Sequence, residues 1–147
     1  MTPPYLVRLM ASWIFRGRTG PEDREAIALA ARLRVATLSG QTAGPWWHTA
    51  NEGKLSSRAA AALLKACGLC AGAPDYVFLG EGGGVIELKR PGAPPSSLSQ
   101  AQRDVRDWCV DSGVRWAMCR SADEAEATLV EWGWLKAEGL PHRARTW

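Results

Sequence analysis

Three residues in this sequence have the types and spacing for chemistry: Asp75, which follows Pro74, and Glu87 and Lys89, one residue apart in Ile86-Glu87-Leu88-Lys89. Both segments are rich in β-branched and aromatic residues. The glycine-rich turn from Gly80 to Gly84 between them can take positive φ, so together they read as a β-hairpin. Pairing Leu79 with Val85 across the loop sets Val77 opposite Glu87 and Asp75 opposite Lys89. Strand side chains alternate with a period of two, so Asp75, Glu87 and Lys89 share one face while Ile86 and Leu88 turn to a core. Two carboxylates and an ammonium on an otherwise apolar hairpin are costly to bury unless they are paired or hold a metal. That grouping suits chemistry on an anion. A Glu-x-Lys on a strand is equally a pattern of solvated surface charge, and Pro-Asp is a common turn and strand opener.

The surrounding pattern supplies elements to position these side chains. Leu6, Leu9, Met10, Trp13 and Ile14 fall at helical spacing in a segment that could cover the core or join a dimer. Thr19-Gly20-Pro21 breaks the chain and starts a helix that runs to about Leu38, with Glu22 and Asp23 at its positive end. A loop leads to a short strand from Trp46 to Asn51. An alanine-rich helix from Ser57 to Cys67 follows, with Leu63 and Leu64 expected inward. Ala71-Gly72-Ala73 lets the backbone pass close to the hairpin, and Pro74 fixes the approach to Asp75. Ser99 caps a helix from Gln100 to Asp111, and Val114 to Cys119 alternates as a strand. Ser121 and Glu124 form a capping box for a last helix carrying Ala125, Leu129 and Val130. The order predicts an α/β fold with a mixed central β-sheet flanked by helices.

Pro-Asp, about a dozen residues, then Glu-x-Lys resembles the signature of the PD-(D/E)xK nucleases, and the flanks narrow the likeness. Asn51-Glu52-Gly53-Lys54, Ala62-Leu63-Leu64-Lys65 and the run from Gly68 to Asp75 resemble the approach to the catalytic hairpin in the VRR-NUC branch. Ile86 to Gly92, then Leu98-Ser99 and Gln102-Arg103, are similar to the same branch. The stretch from Pro21 to Leu29 looks like its first helix, with Ala26 where the family has glutamine. Cys119 to Ala125 looks like its last strand and helix, and His48 and Asn51 resemble its His-x-x-Asn. The likeness covers residues 21–133, leaving 1–20 as an N-terminal extension and 134–147 as a basic aromatic tail.

The resemblance implies a restriction-endonuclease-like core and a metal-dependent DNA endonuclease of the stand-alone, phage-like type. Asp75, Glu87 and the Leu88 backbone carbonyl would bind Mg²⁺ or Mn²⁺, all hard oxygen ligands. Lys89 would act on the water or the phosphate, with Gln102 and Glu22 orienting the site. Asn51, Lys54, Arg58 and Arg90 are the expected DNA contacts; Lys54 to Arg58 is a basic, hydroxyl-rich stretch suited to phosphates, or to a solvated loop. The relatives imply branched, flap or Holliday-junction DNA as substrate, or nonspecific cleavage, and a homodimer. A non-catalytic DNA-binding module retaining the fold is one alternative. A protein-interaction module is the other, suggested by eight tryptophans of which Trp13, Trp134 and Trp147 lie outside the matched stretch.

A chain of 147 residues that is 46% apolar makes one domain with a real core and no room for a second. The net charge of +3 and pI near 8.8 fit a nucleic-acid partner without requiring one. Of four cysteines, Cys67 and Cys70 have metal-type spacing, but Cys109 and Cys119 are ten apart with no histidine near, so packing is expected for Cys67. This usage fits a reducing compartment. Arg8 interrupts the one signal-peptide-like run, and no apolar stretch is long enough to span a membrane. The sequence reads as a soluble cytoplasmic protein of a bacterial or phage-infected cell, with no membrane association and no organic cofactor.

Overall fold

The structure is a computed structural model that describes residues 4–10, 15–49 and 57–137. The elements are α1 (Pro4–Met10), α2 (Pro21–Leu38), β1 (Trp46–His48), α3 (Arg58–Ala66), β2 (Tyr76–Phe78), β3 (Gly84–Leu88), a 3-10 turn (Pro95–Ser97), α4 (Gln100–Asp111), β4 (Trp116–Cys119) and α5 (Ala122–Glu131). The strands form one sheet in the order β1-β2-β3-β4. The first three are antiparallel and β4 runs parallel to β3, with α4 as the crossover. This is the mixed, helix-flanked sheet expected from the sequence.

Local chemistry sets the helix starts. Pro21 opens α2 with Glu22 and Asp23 in the first turn, where acids complement the helix dipole. The Ser57 side chain accepts from the Ala60 N–H at the head of α3. At α5 the Ser121 side chain accepts from the Glu124 N–H, but the Glu124 carboxylate reaches Arg120 N–H rather than closing the expected capping box on Ser121.

One face of the sheet is fully buried. Tyr76, Phe78, Ile86, Leu88 and Cys119 pack against Leu29, Leu33 and Ala36 of α2 and Ala125 and Leu129 of α5. The Arg32 guanidinium ties these helices together, 2.6 Å from Asp123 and 3.0 Å from Glu126. The opposite face is thinner, since α3 and α4 contribute no buried residue. Leu63 and Leu64, expected inward, are 65% and 39% exposed, and Cys67, expected to pack, is exposed. Helical periodicity marks an apolar stripe but not the surface that receives it, and among the described residues nothing buries this one.

The hairpin register also differs from expectation. Val77 pairs with Val85 and Phe78 with Gly84, so Asp75 stands opposite Glu87 rather than Lys89. A tight turn, closed by Gly83 N–H to the Gly80 carbonyl, shifts the pairing by two residues. An even shift preserves the faces, so Asp75, Glu87 and Lys89 remain on one side.

Trp134, which the sequence places at the start of the tail, belongs to the core. It is fully buried, meets the Phe78 ring edge-on at 4.9 Å and donates from Nε1 to the Leu79 carbonyl at 2.7 Å. Leu135 bridges back to Thr42 beside it. Trp134→Phe removes that donor and leaves a void, so it should cost about 2 kcal/mol, read as a lower urea midpoint at unchanged slope. The remaining tail residues from 138 onward lie outside the described residues, as does Trp13.

Candidate active site

Asp75 immediately precedes β2, and Glu87 and Lys89 lie in and just after β3, so the hairpin brings all three to one end of the sheet. The Leu88 N–H donates to Asp75 Oδ2 at 2.7 Å, and the Asp75 main-chain carbonyl accepts from Thr49 N–H at 2.7 Å. Glu87 is the buried charged residue of the core, only 2% exposed. Its Oε1 accepts from Gln102 Nε2 and lies 3.2 Å from Lys89 Nζ, whereas its Oε2 is buried with no hydrogen-bond partner among the described residues.

Gln102 links this pair to the start of α4. Its Oε1 accepts from Lys89 Nζ at 3.1 Å and from Ser99 N–H at 2.9 Å, while the Ser99 hydroxyl accepts from Gln102 N–H at 3.1 Å. One side chain therefore closes a helix capping box and orients a glutamate and a lysine. The loop before β2 holds α4 in place. Gly72 has φ of +81°, and a Cβ there would overlap the Ala101 carbonyl. This loop, expected beside the hairpin, lines one cleft with Asp75, Glu87 and Lys89 and also approaches the first turn of α4. Gly72→Ala should push that turn away, displace Gln102 and lower activity about tenfold or more, with an altered near-UV spectrum as the structural check.

Glu22, Asp75, Glu87, Lys89 and Gln102 all line one cleft of about 250 Å³, together with Thr49. Its electrostatics are those of crowded acids. Burial, then the Asp75 charge, pushes the Glu87 carboxyl up to about 7 against the pull of Lys89. Burial also raises Asp75, opposed by the Leu88 N–H, His48 and Lys89. Glu22 is raised by burial and by Asp75, with Lys89 and the Arg90 N–H opposing.

These residues fit a divalent cation of the Mg²⁺ type. Such ions take one or two carboxylates, backbone oxygens and several waters rather than a full protein cage. Glu87, which lines the shared cleft, has a buried Oε2 without a hydrogen-bond partner among the described residues, Asp75 keeps a second oxygen, and the Leu88 carbonyl leaves the strand on the same edge as its N–H. Among the described residues no three His, Cys, Asp or Glu side chains form a ready-made cage.

Of the expected DNA contacts, Arg90 is exposed beside the cleft and Arg58 is exposed at the head of α3. Asn51 and Lys54 lie outside the described residues. His48 packs on the Tyr76 ring at 4.9 Å. The sequence reading did not assign Thr49 or Cys70 to the site, and both line it. Gln102, expected at the site from the family resemblance, also carries a local signal, the Ser99-x-x-Gln102 capping box that fixes the start of α4.

With this fold and cleft in view, the comparisons place the chain. The family model for the VRR-NUC domain matches residues 28–123, and the chain belongs to this family. Its domain is of nuclease type and acts on DNA. A solved structure titled "VRR_NUC domain protein" is similar over 79% of this chain and 90% of its own, with a TM-score of 0.54 and 17% identity. At that identity the likeness concerns the fold, which is consistent with a restriction-endonuclease-like core. Comparison with curated proteins gives no match. Among the described residues no helix is long and apolar enough to cross a membrane.

Proposed function

We propose that the protein is a Mg²⁺- or Mn²⁺-dependent DNA endonuclease that hydrolyses phosphodiester bonds, acting on branched, flap or Holliday-junction DNA or without structure preference. The observation that carries this is Glu87 Oε2, a buried carboxylate oxygen without a partner among the described residues, beside Asp75 and a lysine that Gln102 holds in place. A bound divalent cation would supply Lewis-acid polarisation of the phosphate and a water of lowered pKa.

The chain's own groups do the rest. Asp75, Glu87 and the Leu88 carbonyl would present oxygens to such a cation. Lys89 Nζ, held between Glu87 and Gln102, has one N–H left to donate to charge developing on the phosphate oxygens. Glu22, held by the Arg90 N–H, orients water at the cleft mouth. Hydrolysis proceeds in line and leaves a 5′-phosphate and a 3′-hydroxyl. Arg58 and Arg90, with Asn51 and Lys54, contact the backbone and carry little sequence information. A domain this small has limited surface with which to read bases, so DNA shape governs selection.

A homodimer would let two such sites address two strands; light scattering reads its mass. The deciding experiment is cleavage of labelled single-stranded, duplex, flap and four-way DNAs with Mg²⁺ or Mn²⁺. Cleavage that requires the metal and favours a branched form is expected. Absence of metal-dependent cleavage on every DNA contradicts the proposal.

A further inference from the structure

The catalytic cleft does not end at its carboxylates. A small second cleft shares Glu22 and Asp75 with it and reaches His48 and Tyr76. A third, of about 400 Å³, shares His48, Tyr76, Asp23 and Ala26 with the second and continues to Phe15, Arg18 and Arg34. The three clefts are neighbours through these shared residues, and the far one carries Arg18 and Arg34 with Asp23 beside them.

That far cleft has the composition of a nucleotide site. Phe15 presents a ring that is 61% exposed, and the ring rests against Gly17, where any Cβ would overlap it. Ile27 gives an exposed apolar surface there, with the buried Tyr76 behind it. Arg18 is exposed and supplies a guanidinium to an anion, while Arg34, partly withdrawn from water with its pKa lowered by burial, lines the wall beside it. Aromatic face plus guanidinium is the pairing that holds a base and its phosphate in single-stranded nucleic acid. The volume lies in the range of small-ligand clefts, roughly 300–1,000 Å³. A base stacked and paired in a duplex cannot enter a concave cleft of this kind.

We infer that the cleft formed by Phe15, Arg18, Arg34 and His48 binds one unpaired nucleotide of the substrate strand, adjacent to the phosphate positioned at Asp75 and Glu87. The inference rests on the nuclease reading and narrows it to DNA with a single-stranded segment beside the cut.

The test is fluorescence anisotropy of the full chain with a labelled single-stranded oligonucleotide and a blunt duplex, with Ca²⁺ in place of Mg²⁺, run beside plasmid nicking in Mg²⁺. Phe15→Ala should weaken single-strand binding about tenfold. Arg18→Gln should also lower the slope of log affinity against log salt by about 0.7. Gly17→Ala, which displaces the ring without removing it, should weaken binding in the same direction, and blunt-duplex affinity should change less than about twofold in all three. Single-strand binding by Phe15→Ala and Arg18→Gln equal to wild type overturns the inference, as does absence of single-strand binding by wild type. Those results can occur with nicking intact, which leaves the nuclease reading standing. Cleft-dependent binding without metal-dependent nicking has the opposite meaning: the nucleotide site stands and the nuclease reading falls.

Discussion

Lys89→Met is expected to lower Mg²⁺-dependent DNA cleavage about a hundredfold to a thousandfold while the protein stays folded and still binds DNA. Lys89 lines the candidate active-site cleft, and its ammonium is aimed by two acceptors, Glu87 Oε1 at 3.2 Å and Gln102 Oε1 at 3.1 Å. Methionine keeps the length and apolar stem but offers no charge to a phosphate in the transition state. The fold should survive because Glu87 retains the Gln102 amide and its carboxyl can take up a proton once the lysine charge is gone. Asp75→Asn should give a similar loss by removing a negative ligand while its remaining oxygen can still accept from Leu88 N–H. Plasmid nicking by the variants, with circular dichroism and oligonucleotide binding alongside, checks both. Wild-type nicking by Lys89→Met contradicts the role given to the lysine.

The second large effect is on stability and depends on pH. Glu87 holds its proton up to about pH 7 in the folded chain, against an ordinary carboxyl value of 4.5 when unfolded. Between those values the native state binds more protons than the unfolded state, so stability falls as pH rises. The stabilising contribution is therefore complete below about pH 4.5 and lost by somewhat above pH 7, a change on the order of 3 kcal/mol for this group alone. Asp75 is raised for the same leading reason, burial, and adds in the same direction. Glu87→Gln, which cannot ionise, should make the metal-free protein more stable than wild type at pH 8 and remove most of that slope. Urea melts in EDTA at pH 5 and pH 8 read both quantities. An unchanged slope in Glu87→Gln would place the pH dependence on other groups.

Much of this arrangement was legible before any coordinates. Pro21, Ser57, Ser99 and Ser121 each mark a helix start because the first turn needs acceptors or a residue without an N–H. The period of two put Asp75, Glu87 and Lys89 on one face, and that survived a wrong register because the error was even. The register itself was not legible: four glycines among the five residues from Gly80 to Gly84 allow several turns, and only the packed structure selects the one closed between Gly80 and Gly83. Trp134 escaped for a different reason. It is a single buried residue beyond the last helix, with no periodic neighbours to signal its direction. Leu63 and Leu64 failed in the opposite sense, since an amphipathic pattern fixes a stripe and not its partner. At the site, Gln102 came from family resemblance, whereas its triple engagement with Ser99, Lys89 and Glu87 follows from the close approach that Gly72 permits.

The central claim is that Asp75 and Glu87 form a divalent-cation site, and calorimetric titration of the full chain with Mn²⁺ tests it most directly. Wild type should bind with measurable heat and release protons at pH 7, because a cation displaces the proton that Glu87 holds near that pH. Glu87→Gln and Asp75→Asn should give little or no binding heat. A silent wild type, or variants that titrate as wild type does, would contradict the account.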